Sequence, residues 1–256
     1  MNRATIRALA ALNREFYEDA AAEFSATRRQ PWGGWYQIAA ALRPDARRDA
    51  PLRVLDVGCG NGRFGRFLAR ATGAPLRYVG VDASGALLEE ARASLEGVVE
   101  LELHPRDVSE AAWSTVLGAA RFDLVAVFGL LHHIPGRATR RALVAELGAR
   151  VSEAGCCALA IWPFAAFERF RARILPWTEV HRLGSAAAAR IDPDDLEPGD
   201  HLLRWGEDGA RARYCHFVDA AEVREIIAAS RLACAARFDA DGRGGDRNRY
   251  YLLRRP

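Results

Sequence analysis

The chain has 256 residues, half of them hydrophobic, five cysteines and a net charge of +3, and arginine is its main cation because it contains no lysine. That is enough to bury a core for one full domain. The charge is too small to mark a nucleic-acid binder, and no stretch of about 18 apolar residues offers a membrane span. The start, MNRATIRALAALNREFYEDAAAEF, is interrupted by charge every few residues and does not read as a leader. The expectation is a cytoplasmic protein with reduced thiols, neither disulfide nor zinc.

Residues 4–24 place Ile6, Leu9, Leu12, Phe16, Ala20 and Phe24 at three- and four-residue steps, which predicts an amphipathic helix packed on the body. In the following SATRRQPWGGW, Pro31 and two glycines break that helix, and two tryptophans sit among arginines. A second short helix is expected over 36–42, so that residues 1–50 form a helical cap.

Arg53 to Phe64, RVLDVGCGNGRF, organises the rest. A short apolar run holding Asp56 leads into Gly58, Gly60 and Gly62 and then into a helical pattern: strand, tight turn, helix. Glycines serve where the backbone takes positive φ or where a ligand must approach the main chain, so the loop is built to hold a ligand. A dinucleotide fingerprint, GxGxxG, would need a third glycine where Arg63 stands.

The second strand, Tyr78 to Ser84, ends in Asp82, placed to take two ribose hydroxyls, while Ser84 suits a helix N-cap over 85–95. The third runs from Val98 to Leu103, with Asp107 past its end. Phe122 to Pro135 is nearly all apolar and reads as a central strand covered on both faces, ending at His132-His133. A helix over 137–151 leads to a fifth strand over 159–162. Residues 163–216 are too long for a connector and contain an apparent hairpin, HLLRW-GEDG-ARARYCHF; such an insertion is expected to cover the substrate. Leu232 to Phe238 and Tyr250 to Leu253 form a closing hairpin across DADGRGGDRN. The pattern predicts a doubly wound α/β sheet with its ligand at the carboxyl ends of the strands.

The DxGxGxG of Asp56 to Gly62 resembles motif I of the class I S-adenosylmethionine (SAM) dependent methyltransferases. The resemblance implies one Rossmann-like domain of seven strands in order 3-2-1-4-5-7-6, with SAM held by Asp56, Gly58, Cys59, Gly60, Asn61, Asp82, Ala83, Asp107, Val108 and Phe128. A narrower resemblance rests on TRRQPW, the HH after the fourth strand, PGDHLLRW, RYCHF and the terminal NRYY. These are similar to the transfer RNA methyltransferases that esterify 5-carboxymethyluridine at the wobble position, whose patterns are close to TRxxPWP, RYYH and NWY. Gly33, Cys215 and Arg249 depart from those patterns. This resemblance implies a tRNA substrate and His132, Tyr214, His216 and Arg28 as positioning residues; eukaryotic members also work with a small zinc-binding activator subunit. A carboxylate acceptor is already ionised at neutral pH, so no general base is required. A small-molecule O- or N-methyltransferase stays open beside this reading, and the intact glycine loop does not exclude a SAM-binding subunit without an acceptor site.

Overall fold

The computed structural model describes residues 1–26, 30–42, 50–206 and 211–256. Arg28 lies outside the described residues. Two helices come first, α1 (Arg3–Ala26) and α2 (Gly33–Ala41). The two glycines expected to break the chain instead open α2. Gly34 is needed there because a Cβ would stand 2.3 Å from the Tyr250 ring.

The body alternates strand and helix: β1 (Leu52–Val57), α3 (Arg63–Thr72), β2 (Leu76–Asp82), α4 (Gly85–Leu95), β3 (Glu100–Pro105), β4 (Phe122–Phe128), α5 (Arg137–Ala149) and β5 (Val151–Ile161). The expected fourth strand stops at Phe128, since Gly129 takes φ +70° and turns the chain into a 3₁₀ turn, Leu131–His133. The fifth strand begins at Val151, well before Leu159, because its polar start pairs with the beginning of β4 through an irregular register.

The insertion holds α6 (Glu168–Arg171), β6 (Ile174–Leu175), β7 (Asp200–Trp205) and β8 (Arg211–His216); β7 and β8 form the expected antiparallel hairpin, with Asp200 opposite His216. Helix α7 (Ala220–Ala229), capped by the Asp219 side chain, leads to the hairpin of β9 (Ala233–Ala240) and β10 (Asn248–Arg254).

The main sheet runs β3-β2-β1-β4-β5-β10-β9, the order 3-2-1-4-5-7-6 once the insertion's own three-stranded sheet is set aside. Alternation along its strands feeds two cores. Leu55 and Val57 join Val125, Val127, Leu143 and Val144 on one face, whereas Val54 joins Leu124, Trp35, Phe64 and Phe67 on the other. A third core sits apart from both. Leu9 and Leu12 of α1 pack with Leu202, Tyr214 and Ile191 of the insertion, so the N-terminal helix and the insertion form one cover over the carboxyl ends of the strands. Among the described residues, no helix is long and apolar enough to cross a membrane.

Candidate active site

The glycine loop leaves β1 with Gly58, Gly60 and Gly62 at φ +75°, +53° and +72°, a region costly for any side chain but glycine. The N–H groups of Gly58 and Cys59 donate to the Val81 carbonyl, 2.8 and 3.1 Å, which ties the turn to β2. Asp82 completes the tie by accepting from Gly60 N–H at 2.8 Å and from Ser84 N–H at 3.0 Å. A Cβ on Gly60 would meet nothing within 4 Å, because the loop faces open space.

That space divides into two joined cavities. The smaller, about 150 Å³, is walled by Gly58, Gly60, Asp82, Ala83, Asp107, Val108 and Phe128, and roofed by Ala10, Asn13, Arg14 and Tyr17 of α1. Apolar Val81, Leu87, Leu130 and Ile134 suit an adenine ring, with Asp82 near the loop as an acceptor for ribose hydroxyls. Asp107 already accepts from Ser109 N–H and from Arg14 Nη1 at 3.2 Å, which pins α1 over the cavity. The larger cleft, about 1390 Å³, begins at Asp56, Cys59 and Asn61 and opens beneath the insertion. Tyr17, Gly58, Gly60, Phe128, Gly129 and His133 border both.

Asp56 is 2% exposed and accepts from Tyr78 Oη at 2.5 Å. Burial pushes its carboxyl up to about 7, against the Tyr78 bond, and the nearby Asp82 adds to the rise. Burial likewise raises Asp82, against its backbone bonds, and raises the Cys59 thiol, which stays neutral. Two carboxylates held at a glycine loop in this way suit a cationic cofactor, and would repel a pyrophosphate. The sulfonium and ammonium of SAM fit this set; Asp56, the loop and Asp82 would hold it.

The larger cleft is lined by Arg63, Arg173, Arg204, Arg211, Arg213 and Arg247 against the acids Glu23, Asp56 and Asp241. Its rings include Trp32, Trp35, Trp162, Trp205 and Phe170. Arg63 stacks over Trp32 and Trp35 at 5.0 and 4.8 Å, and burial pulls its pKa down to about 10. His132 borders this cleft, 6% exposed, edge-on to Trp162.

Tyr214 and His216 stand elsewhere. Tyr214 is fully buried, its Oη donating to Asp200 at 2.7 Å and its backbone N–H to Asn13. His216 places Nδ1 2.7 Å from Asp200 and Nε2 2.8 Å from Glu222, so both nitrogens face carboxylates and the ring is held as the cation. Neither lines either of these two cavities. The insertion meets the cleft through the opposite face of β8, where Arg213 Nη1 donates to Tyr17 Oη at 2.8 Å and Tyr17 Oη lies 2.8 Å from His133 Nε2. Tyr17 was not singled out by sequence, and His133 was read only as half of the pair His132-His133; the single signal for Arg213 was its place beside Tyr214 on a strand of alternating faces.

A methyltransferase-domain family model matches residues 54–155, from β1 into the first half of β5. The chain is 33% identical over 206 residues, 79% of its length and 78% of the relative's, to a putative methyltransferase of Encephalitozoon cuniculi. Among solved structures it resembles the magnesium protoporphyrin IX methyltransferase of Synechocystis with bound SAM: TM-score 0.58, 16% identity, covering 96% of this chain and 97% of that one. The N-methyltransferase NodS of Bradyrhizobium japonicum with S-adenosylhomocysteine gives TM-score 0.56 at 14% identity, with 97% and 98% covered. The fold, the acid-and-glycine loop and the relative agree: the chain belongs to the class I SAM-dependent methyltransferases.

Proposed function

We propose that this methyltransferase esterifies a carboxylate carried on RNA, the 5-carboxymethyl group of a wobble uridine in tRNA. One observation carries the reading. Of six buried side-chain polar atoms without a hydrogen-bond partner among the described residues, four (Trp35 Nε1, Trp162 Nε1, Arg213 Nε and Arg247 Nε) belong to residues lining the larger cleft. All four are N–H donors, so the ligand that completes them must present acceptors. A carboxylate on a uracil ring, with its carbonyl oxygens, presents them. The surrounding tryptophans suit a stacked base, and the arginines suit its phosphates. The cleft also exceeds the roughly 300–1,000 Å³ usual for small ligands.

When bound, SAM supplies a methyl group on a sulfonium: a carboxylate oxygen forms the new C–O bond, the methyl–sulfur bond breaks with its electron pair left on sulfur, and no proton moves. The protein therefore needs to orient the acceptor and exclude water, and His132, packed on Trp162, is a positioning residue rather than a base. A small-molecule acceptor is the second reading, favoured by the solved neighbour that acts on magnesium protoporphyrin IX.

The test is mass spectrometry of tRNA nucleosides from a strain lacking the gene, followed by incubation of that tRNA with the chain and SAM. Accumulated carboxymethyluridine, converted to its ester in a reaction that weakens steeply with salt, supports the RNA reading. An unchanged nucleoside profile overturns it. Running the incubation with and without a zinc-binding activator protein tests that partner.

A further inference from the structure

A guanidinium taken out of water without a counter-charge is costly, so a buried arginine is normally met by carboxylates or saturated by carbonyls. Arg213 is 4% exposed. Among the described residues no carboxylate forms an ion pair with it, and its Nε has no partner. Its Nη1 is held by Tyr17 Oη, and its guanidinium lies 5.4, 5.9 and 5.9 Å from the rings of Phe16, Tyr17 and Trp162. Next to it the Cys215 thiol is pushed up to about 11 by burial, so it brings no negative charge at neutral pH. The group is held by aromatic faces, the Tyr17 hydroxyl and the neutral Cys215 sulfur, and what it lacks among the described residues is an anion.

The orientation says which edge is left. In a guanidinium Nη1 lies on the Cδ side, so a bond from Nη1 to Tyr17 leaves Nε–H and Nη2–H as a side-on fork, the geometry that grips a carboxylate with two parallel bonds. Arg213 lines the larger cleft, and Tyr17 borders that cleft and the SAM cavity alike. We propose that Arg213 is the acceptor-recognition residue, its Nε/Nη2 edge gripping the carboxylate to be methylated, and that Tyr17 is the positioning residue that aims it toward the cofactor cavity. Each carboxylate oxygen accepts one bond of the fork, and one of them attacks with a remaining lone pair. The arrangement selects an acid over its amide, because an amide NH₂ would set a donor against a donor. This inference rests on the carboxylate reading of the cleft.

The experiment compares the parent, Arg213→Gln, Arg213→Lys and Tyr17→Phe as full chains. Two readouts are used: methylation of RNA bearing 5-carboxymethyluridine, with its 5-carbamoylmethyl analogue as inhibitor, and acetate titration followed by tryptophan fluorescence with S-adenosylhomocysteine bound. Arg213→Gln should raise KM for the acid about 100-fold or more, with a smaller fall in kcat, and keep the SAM Kd within about twofold of the parent, which also reports that it folds. It should also lose the acid-over-amide preference and the saturable acetate signal. Arg213→Lys, a charge without the fork, and Tyr17→Phe should fall in between, about tenfold in KM. A parent-like KM and acid preference in Arg213→Gln, or no saturable acetate signal in the parent, overturns the assignment. A parent that binds acetate through Arg213 but leaves carboxymethyl RNA unmethylated refutes the RNA reading and keeps the anion site.

Discussion

Two buried arginines, one on α5 and one on strand β8 of the insertion, are treated in opposite ways. Arg140 of α5, fully buried, donates Nε to Glu222, Nη2 to Glu197 at 2.8 Å and Nη1 to the Ile134 carbonyl at 2.8 Å. Its carboxylate partners lead on to His216, Asp200 and Tyr214, so one closed polar cluster joins α5, α7 and the β7–β8 hairpin. Glu197, Asp200 and His216 approach one another as metal ligands would, but protein donors already occupy them. Among the described residues Arg213 is paired with no carboxylate, and its Nε is unpartnered beside a cleft. The difference teaches where to look for function in this fold: a saturated ionic cluster holds the cover in place, and the unsaturated cation marks what the cover is for.

The comparison breaks most sharply at Arg140. Arg140→Gln would leave buried Glu222 with His216 as its remaining partner and half-buried Glu197 with the Arg137 backbone N–H alone, and should destabilise the protein by about 3 kcal/mol in urea or thermal unfolding. The same cluster sets the acid limit. Burial alone would push Glu222 up, yet hydrogen bonds from His216 and Arg140, with their charges, hold it down to about 2 from an ordinary 4.5. A depressed folded pKa gives stability that is present above pH 4.5 and lost as pH falls toward 2. A Glu222→Gln variant should lack that slope.

On the other side, the cofactor end should titrate near neutrality. With Asp56 pushed up to about 7, its carboxyl is protonated below that pH and loses its attraction for the cationic cofactor. SAM affinity should therefore fall by up to about tenfold per unit as pH drops from 7, and Asp56→Asn should flatten the profile. A flat parent profile in calorimetry would place the ammonium elsewhere. The smallest effect is expected where the cation is unmatched: Arg213→Met should leave stability unchanged or raise it by about 1 kcal/mol, since it removes a buried charge that no carboxylate among the described residues offsets. A loss comparable to that of Arg140→Gln would erase the contrast between the two arginines.

The cofactor side was legible because it is local. Asp56 to Gly62 is one strand and one turn, and Asp82 and Asp107 follow at or just past the ends of the next two strands, so the motif and its resemblance named residues that the fold brings to adjoining cavities. The acceptor side was legible only in outline. An insertion with a hairpin could be read, but β8 is buried on both faces from Ala212 to His216, and alternation cannot say which parity meets a ligand when neither face is solvated. Tyr214 and His216 were named because the RYCHF resemblance implies them; the other parity, Arg213 and Cys215, turned toward His133 and Tyr17. Tyr17 followed the apolar stripe position Phe16, and its bond to His133 spans 116 residues. Gly34 was read as a breaker because its reason, the ring of Tyr250, lies at the other end of the chain.

The most direct test of the carboxylate claim is the chemical stability of the transferred methyl. With SAM labelled in the methyl group and tRNA from a strain lacking the gene as acceptor, a methyl ester releases its label as volatile methanol in mild alkali. The account predicts label in the RNA that is released this way and is absent with Arg213→Gln at low substrate. Label that survives alkali, as an N-methyl or ether would, contradicts it.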